Sequence, residues 1–194
     1  VEARHFWGSS GYGVWDDSRN KLEEVFARCM GAEAALVRPQ FMSGTHTLTV
    51  ALFGLLRTGD TLLAATGRPY DTLEGVIGIG DAGKGCGTLR EFGVNYDECP
   101  LLPDFTPDYD LIAEKARTAT VVHIQRSRGY TQRNAFDLAT IQKVADTARK
   151  ANPNAVIFVD NCYGEFTQTA EPVAFGADIM AGSFIKNPGG GITP

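Results

Sequence analysis

Lys186 lies in a segment whose composition suits close contact between an amine and a ligand. It follows a weak strand pattern over residues 178–183 and precedes Asn-Pro-Gly-Gly-Gly, which is too flexible to be a helix. The glycines at 189–191 would let the backbone lie against a bulky ligand. Ser183, three residues before the lysine, could contribute a hydroxyl from the same turn. A surface position is the simpler interpretation of Lys186 taken alone.

Asp160 is a second group with chemical potential, because it ends the apolar run AVIFVD at residues 155–160. A carboxylate after five apolar residues needs a charged partner or a solvent-exposed strand end. In open α/β sheets, ligands bind outside the carboxyl ends of the strands, where this aspartate would lie. Taken alone, Asp160 could equally be a turn or cap residue.

Ser43-Gly44-Thr45 and Tyr70 complete the set of candidate groups. The first three residues precede an apolar helical pattern, and a helix N-terminus with free N–H groups attracts anions such as phosphate. Gly44 allows close backbone approach, and the two hydroxyls can donate hydrogen bonds. Tyr70 could stack on a flat ring and exchange a proton through its hydroxyl. An ordinary helix cap and a core tyrosine are the structural alternatives.

Together these groups match what pyridoxal 5′-phosphate requires of a protein: an anion site for the phosphate, a carboxylate for the ring nitrogen, a flat face and an amine. Their order along the chain makes a chance coincidence improbable. The predicted catalytic residues are Lys186, Tyr70 and Asp160, with Lys186 forming the Schiff base to the cofactor. The predicted cofactor-binding residues are Ser43, Gly44, Thr45, Tyr70, Asp160, Ser183 and Lys186.

The elements that position these residues alternate between helix and strand, which predicts an α/β fold with helices covering a mostly parallel sheet. Strands are predicted at residues 61–65, 88–94, 120–125, 155–160 and 178–183. Helices are predicted to start near Asp17 or Ser18, at Ser43, at Asp71 with a capping box to Glu74, at Asp108 and at Asp137. In the first helix Leu22, Val25, Phe26 and Cys29 are expected to share a buried face.

A glycine-rich segment at residues 78–87 contains two misleading motifs. GIGDAG matches the dinucleotide-binding pattern GxGxxG, and GIGDAGKG is nearly a phosphate-binding P-loop. Both motifs need a strand before them and a helix after them. Here the helical pattern precedes the glycines and a strand-like pattern follows, so we predict a loop without a nucleotide site.

Composition excludes several classes of function. The 194 residues are 43% hydrophobic and 21% charged, with net charge −5 and no basic run, which disfavours a nucleic-acid partner. No apolar stretch approaches the roughly 20 residues that span a bilayer, and no signal-peptide layout is present. The four scattered cysteines and three separated histidines indicate reduced thiols, a cytoplasmic protein and no sequence-local zinc site.

The motifs VDNCYGEF at residues 159–166 and GSFIKNPGGG at 182–191 resemble the fold-type I pyridoxal-phosphate enzymes of cysteine and methionine metabolism. The resemblance is closest to the bacterial methionine γ-lyase family, also labelled aluminium resistance protein. Further matching stretches are SSGYGVWDDSRNKLEEVFA, AEAALVRPQFMSGTHTL, LFGLLRTGD, TGRPYDTLEGVIG, HIQRSRGY and the residues before GSFIKNPGGG. They run through nearly the whole chain, so residues 1–194 are expected to form an N-terminal arm and most of the cofactor-binding large domain.

The resemblance implies a homodimer or homotetramer with shared active sites. In the broader group an N-terminal tyrosine and arginine reach the neighbouring subunit's cofactor phosphate. Tyr12 matches that tyrosine, whereas Arg19 falls elsewhere in the motif. Arg126 and Arg128 depart from the wider group, and a role beside phosphate or a substrate carboxylate is one hypothesis for them. A last strand and a C-terminal small domain, expected in fold type I, would lie beyond Pro194.

The resemblance implies a carbon–sulfur lyase that eliminates a thiol from a sulfur amino acid, with Lys186 moving protons and Tyr70 protonating the departing group. Transamination, racemisation or aldol cleavage of an amino acid are alternatives within the same cofactor chemistry, and so is a catalytically idle carrier of the cofactor. A metal-handling protein, suggested by the family label, is a further alternative. Hard cations prefer clustered oxygen ligands, whereas the acidic residues here are dispersed.

Overall fold

The chain divides into two compact units, Val1–Met42 and Ser43–Pro194, in a computed structural model that describes residues 2–8, 10–13 and 16–189. In the first unit a 3₁₀ turn at Ala3–Phe6 precedes helix α1, Asp17–Met30. The helix starts where predicted and ends on Gly31, whose left-handed backbone (φ 68°) caps the last turn.

The buried face predicted for α1 is wrong within this chain. Leu22 and Val25 are 44% and 38% exposed, Cys29 is exposed, and the buried residues of the helix are Ala27 and Met30. An apolar stripe indicates a helix face that is more stable when other residues pack on it. It does not show that those residues belong to the same chain.

The second unit is a five-stranded sheet flanked by helices. Its strands, all paired in parallel, run in the spatial order β2-β1-β3-β4-β5. They are β1 Thr61–Ala64, β2 Asn95–Glu98, β3 Val121–Gln125, β4 Val156–Asp160 and β5 Ile179–Ala181. The helices are α2 Gly44–Leu55, α3 Asp71–Ile77, α4 Tyr109–Lys115 and α5 Leu138–Ala151, with 3₁₀ turns at Ala116–Thr118 and Pro172–Phe175.

Two hydrophobic cores lie on opposite faces of the sheet, which gives the three-layer α/β/α arrangement that the sequence predicted. On one face α2 and α3 pack onto the sheet through residues such as Leu52, Leu73 and Phe158. On the other face α4 and α5 pack through residues such as Ile112 and Ile141. None of the helices formed by the described residues combines the length and apolar character needed to cross a membrane.

Register places the carboxyl ends of the central strands side by side. Gln125 of β3 lies opposite Asp160 of β4, and Asp160 lies opposite Ala181 of β5. The strand order reverses between β1 and β3, and in such sheets ligands bind at that point, outside the carboxyl ends. The loops that follow β1, β3, β4 and β5 therefore meet at one edge.

Two local predictions are wrong, and side-chain hydrogen bonds explain both. Residues 88–94 form turns, and the strand starts only at Asn95. Helix α3 has Tyr70 as its N-cap without a side-chain cap, so no capping box forms between Asp71 and Glu74. The Glu74 carboxylate instead accepts both Nε and a terminal nitrogen of Arg68, at 2.6 and 2.9 Å.

The glycine-rich segment forms turns that enclose a carboxylate of the same chain. The backbone N–H groups of Gly85, Gly87 and Thr88 donate to the Glu91 carboxylate at 2.6, 2.8 and 2.9 Å. These bonds, led by the one from Thr88, hold the pKa of Glu91 below its ordinary value. Glu91 thus occupies backbone donors that a phosphate bound by this segment would need.

We expect Glu91→Gln to loosen this segment, because an amide carries one acceptor oxygen where the carboxylate carries two. Trypsin should then cleave after the exposed Lys84 several-fold faster than in the unmodified protein, since proteolysis follows local opening. Limited proteolysis with mass spectrometry measures this rate. Glu114→Gln on the exposed side of α4 is the matched control, and equal rates in both variants would contradict the prediction.

Candidate active site

The N-terminus of α2 lies against the turn that follows β5. Ser43 caps the helix, its hydroxyl accepting the N–H of His46 at 3.1 Å. A β-carbon on Gly44 would lie 3.3 Å from Ser183 Cβ and 3.4 Å from Cys162 Sγ. Only glycine allows this approach without displacing a neighbour, so Gly44 and Ser183, far apart in sequence, are in close contact at the helix N-terminus.

Tyr70 lies beside this site at the start of α3. Its hydroxyl and the Thr45 hydroxyl are 2.9 Å apart, and Thr45 is also 3.1 Å from the Thr72 hydroxyl. The Tyr70 backbone N–H donates to Gln125 Oε1 at 2.9 Å, which connects Tyr70 to the end of β3. Burial raises the pKa of the Tyr70 phenol, Asp160 adds to the increase, and the two threonines oppose it. The phenol therefore stays protonated at neutral pH.

Asp160 ends β4 and is 1% exposed. Its Oδ1 accepts the backbone N–H of Cys162 at 3.1 Å, which fixes the side chain at the strand end. Because neighbouring strands hold the aspartate backbone on both sides, its position depends on the sheet and not on a mobile loop. A buried carboxylate at this edge is suited to a cationic ligand group.

Lys186 is half-buried in a turn that begins at Ser183, whose carbonyl accepts the Lys186 N–H at 3.0 Å. Its Nζ lies 4.6 Å from the centre of the Tyr163 ring, a cation–π contact. Burial lowers the pKa of the amine, but Cys162, Asp160 and Tyr163 outweigh burial and the pKa is raised. Gly190 and Gly191, predicted to approach the ligand, lie outside the described residues.

Cys162 lies at the centre of these groups, and sequence reasoning treated it only as a reduced thiol. It is 3% exposed, lies beside Gly44, and interacts electrostatically with both Asp160 and Lys186. Burial, reinforced by Asp160, raises the pKa of the thiol far above its ordinary value, so it stays uncharged. The position of Cys162 two residues after Asp160, in the motif VDNCYGEF, was the sequence signal that could have identified it as a site residue.

Glu165, in the same motif, was also missed. It is 2% exposed, and its Oε1 accepts the Ser183 N–H at 2.6 Å. A β-carbon on Gly182 would lie 2.6 Å from that oxygen, so glycine is needed for the carboxyl to reach the backbone. Burial raises the pKa of Glu165. The glutamate therefore fixes the residue at which the Lys186 turn begins.

Arg126 has a different role from the one hypothesised, since its guanidinium is buried and fully engaged by protein groups. It donates to Asn161 Oδ1 at 2.7 Å and to the Gly164 carbonyl at 3.0 Å. Further donors reach Phe136, Thr167 and Gln168, and the Glu171 carboxylate lies 3.7 Å away. No donor remains for a phosphate or a substrate carboxylate, so Arg126 holds the loop after β4.

Of the remaining predicted residues, Tyr12 belongs to the first unit and is 89% exposed. Arg128 is exposed on the loop after β3, two residues beyond the engaged Arg126. The described part of the chain also contains no group of three or more histidine, cysteine, aspartate or glutamate side chains arranged to hold a metal ion.

The sheet order, the layering and the cluster at the carboxyl edge define an α/β protein with a candidate ligand site at that edge. The profile of the methionine gamma-lyase family matches residues 1–194, and the chain belongs to that family. The uncharacterized protein YnbB of Bacillus subtilis (strain 168) is 48% identical over 193 residues, 99% of this chain and 46% of that protein.

Solved structures agree with this membership. A carbon-sulfur lyase involved in aluminum resistance from Clostridium novyi NT is 47% identical with a TM-score of 0.92, over 99% of this chain and 46% of that one. A candidate cystathionine beta-lyase involved in aluminum resistance from Listeria monocytogenes is 48% identical with a TM-score of 0.93, over 98% and 48%. The chain thus spans about half the length of these relatives.

A more distant likeness concerns the fold alone. The cysteine desulfurase of Thermococcus onnurineus NA1 superposes with a TM-score of 0.62 over 89% of this chain and 40% of that one, at 13% identity. The expected fold class, the large-domain fold of the type I pyridoxal-phosphate enzymes, is thereby confirmed.

We expect Arg126→Ala to destabilise the full-length protein by about 3–5 kcal/mol, because it leaves Glu171 as a buried carboxylate without its cation. Urea unfolding measures the free energy of unfolding. Arg128→Ala removes an exposed arginine of the same segment and should change stability by less than about 0.5 kcal/mol. Equal losses in the two variants would show that Arg126 does not hold the loop.

Proposed function

We propose that this chain holds pyridoxal 5′-phosphate in a carbon–sulfur lyase that eliminates a thiol from a sulfur amino acid. The observation that carries the proposal is the convergence of Gly44, Ser183, Asp160 and Lys186 around Cys162 at one edge of the sheet. Membership of the methionine gamma-lyase family and the carbon-sulfur lyase name of the Clostridium novyi relative support it.

The residues present fit the cofactor. Ser43, Gly44 and Thr45 offer N–H and hydroxyl groups to a phosphate at the start of α2, and the close approach at Gly44 leaves Ser183 on the opposite wall. Asp160 would hold the ring nitrogen, and Lys186 would bind the aldehyde carbon covalently. Tyr70 would cover one face of the ring. The cofactor, when bound, supplies an electron-withdrawing ring that stabilises negative charge on substrate carbon atoms.

The chain's own residues then control protons. The Asp160 carboxylate favours a protonated ring nitrogen, which keeps the ring electron-withdrawing. Lys186, once displaced from the cofactor, would exchange the proton on the substrate α-carbon; because its pKa is raised, the amine must lose its own proton before it can act as the base. Tyr70 keeps its phenolic proton and would donate it to a departing thiolate. Buried Cys162, Glu165 and His123 surround these groups and limit water at the strand ends.

We also propose a homo-oligomer located in the cytoplasm. Phe6, Trp7 and Tyr12 are 81%, 72% and 89% exposed in the first unit, and such exposed apolar residues favour a protein partner. The four cysteines are free, which suits a reducing compartment. Tyr12 is the residue that we propose to approach the cofactor phosphate of a second copy.

The first test concerns the covalent link. Borohydride reduction of full-length protein saturated with cofactor should add the phosphopyridoxyl mass to the peptide that contains Lys186, as read by mass spectrometry. Lys186→Ala should carry none of this label, because it removes the amine that lies near Asp160 and Cys162. Lys84→Ala, at an exposed position of the glycine-rich segment, is the control and should label normally. Label on another lysine would refute the proposed site.

The second test concerns the reaction. Full-length enzyme given methionine, homocysteine, cystathionine or cysteine should release a 2-oxo acid and a thiol from at least one of them. Tyr70→Phe keeps the ring but removes the proton, and should lower kcat by roughly 10²–10⁴-fold. A racemised amino acid, or a 2-oxo acid formed without release of a thiol as in transamination, would instead support one of the other reactions.

A further inference from the structure

The loop after β4 contains two non-glycine residues with left-handed backbone. They are Tyr163 with φ 67° and Phe166 with φ 58°. This region is unfavourable for residues with a β-carbon, and aromatic residues adopt it seldom. Gly164, the residue that would carry such a conformation at no cost, is not among the glycines with positive φ. The unfavourable backbone conformation therefore occurs at Tyr163 and not at Gly164.

Gly164 is needed for a different reason, which is close approach to Arg126. A β-carbon on Gly164 would lie 2.6 Å from Arg126 Cδ and 2.6 Å from Asn161 Oδ1. The Gly164 N–H donates to the Asn161 carbonyl at 2.7 Å, and Arg126 bonds both Asn161 and Gly164. These contacts fix the residues on both sides of Tyr163, so the network around Arg126 maintains the strained backbone.

The strained residue also contacts the lysine segment twice. Asn187 Nδ2 donates to the Tyr163 carbonyl at 3.0 Å, and the Lys186 amine lies 4.6 Å from the centre of the Tyr163 ring. Glycine at position 163 would relieve the strain but would remove the ring. Because backbone strain that persists against a cheaper alternative is typical of functional sites, the ring itself must be the useful part.

We propose that Tyr163 is a positioning residue for the Lys186 amine, held against it by the buried Arg126 network. The inference rests on the proposed function of Lys186. Asp160, Cys162 and Glu165 also face the amine from the ends of β4 and the following loop. The Tyr163 ring stabilises the ammonium form of Lys186 through its π electrons. Tyr163 is 62% exposed, which leaves the ring accessible to substrate.

The test uses Tyr163→Gly and Tyr163→Phe in the full-length protein after removal of the cofactor. The pH dependence of Lys186 acetylation by acetic anhydride, followed by mass spectrometry, gives the pKa of the free amine. Tyr163→Gly should lower this pKa by roughly half a unit, because a cation–π contact favours the charged form. Tyr163→Phe keeps a ring and should restore the original value, and exposed Lys84 should titrate alike in all three proteins.

Thermal unfolding separates this role from a structural one. Tyr163→Gly should unfold at the same or a higher temperature, since glycine tolerates φ 67°. A lower unfolding temperature would overturn the claim of strain, and an unchanged Lys186 pKa in Tyr163→Gly would overturn the positioning role. A value in Tyr163→Phe as low as in Tyr163→Gly would overturn it too. The borohydride label reports independently on the proposed function, so the two failures are distinguishable.

Discussion

The candidate site depends on one buried cation, the guanidinium of Arg126. The β-ladder fixes Asp160, but the residues that follow it have no ladder partners to define their path. Arg126 replaces those partners by donating to Asn161, Gly164 and Gln168. A buried guanidinium is costly unless its donors are satisfied, and here acceptors from several segments satisfy them. Folding of the loop and burial of the arginine are therefore one event.

The parts of the fold that the sequence predicted well are those set by local patterns. Helix α5 has its N-cap at Asp137, as predicted, and it buries Leu138, Ile141, Val144, Ala145 and Ala148 on one face. Strand β3 is a run of buried residues, as its β-branched composition indicated. The edge where Asp160 and Lys186 meet followed from a general rule, because the carboxyl ends of parallel strands are neighbours. The strand ends could thus be predicted to be neighbours, whereas the position of Lys186 also depends on the turn that begins at Ser183.

The failures have a common physical origin, which is side chains that reach across the chain to backbone groups. Residues 88–94 have the composition of a strand. The Glu91 carboxylate, however, accepts hydrogen bonds from the preceding backbone N–H groups, and the chain forms turns there. The sequence suggested that Arg126 could bind phosphate, because a sequence shows the charge of a side chain and not the groups that accept its hydrogen bonds. Glu165 gave no periodic signal, since its role depends on Ser183, which is distant in sequence.

Burial also determines which charges the site retains. It raises the pKa values of Tyr70, Cys162 and Glu165 and lowers that of His123, so all four favour their uncharged forms. Two of these groups, Glu165 Oε2 and His123 Nε2, are buried without a hydrogen-bond partner within the described residues. The ammonium of Lys186 then lies near Asp160 in surroundings of low polarity, where a charge interacts strongly with any opposite charge. These surroundings suit the cofactor that we propose, which has an anionic phosphate and a ring nitrogen that can carry a proton.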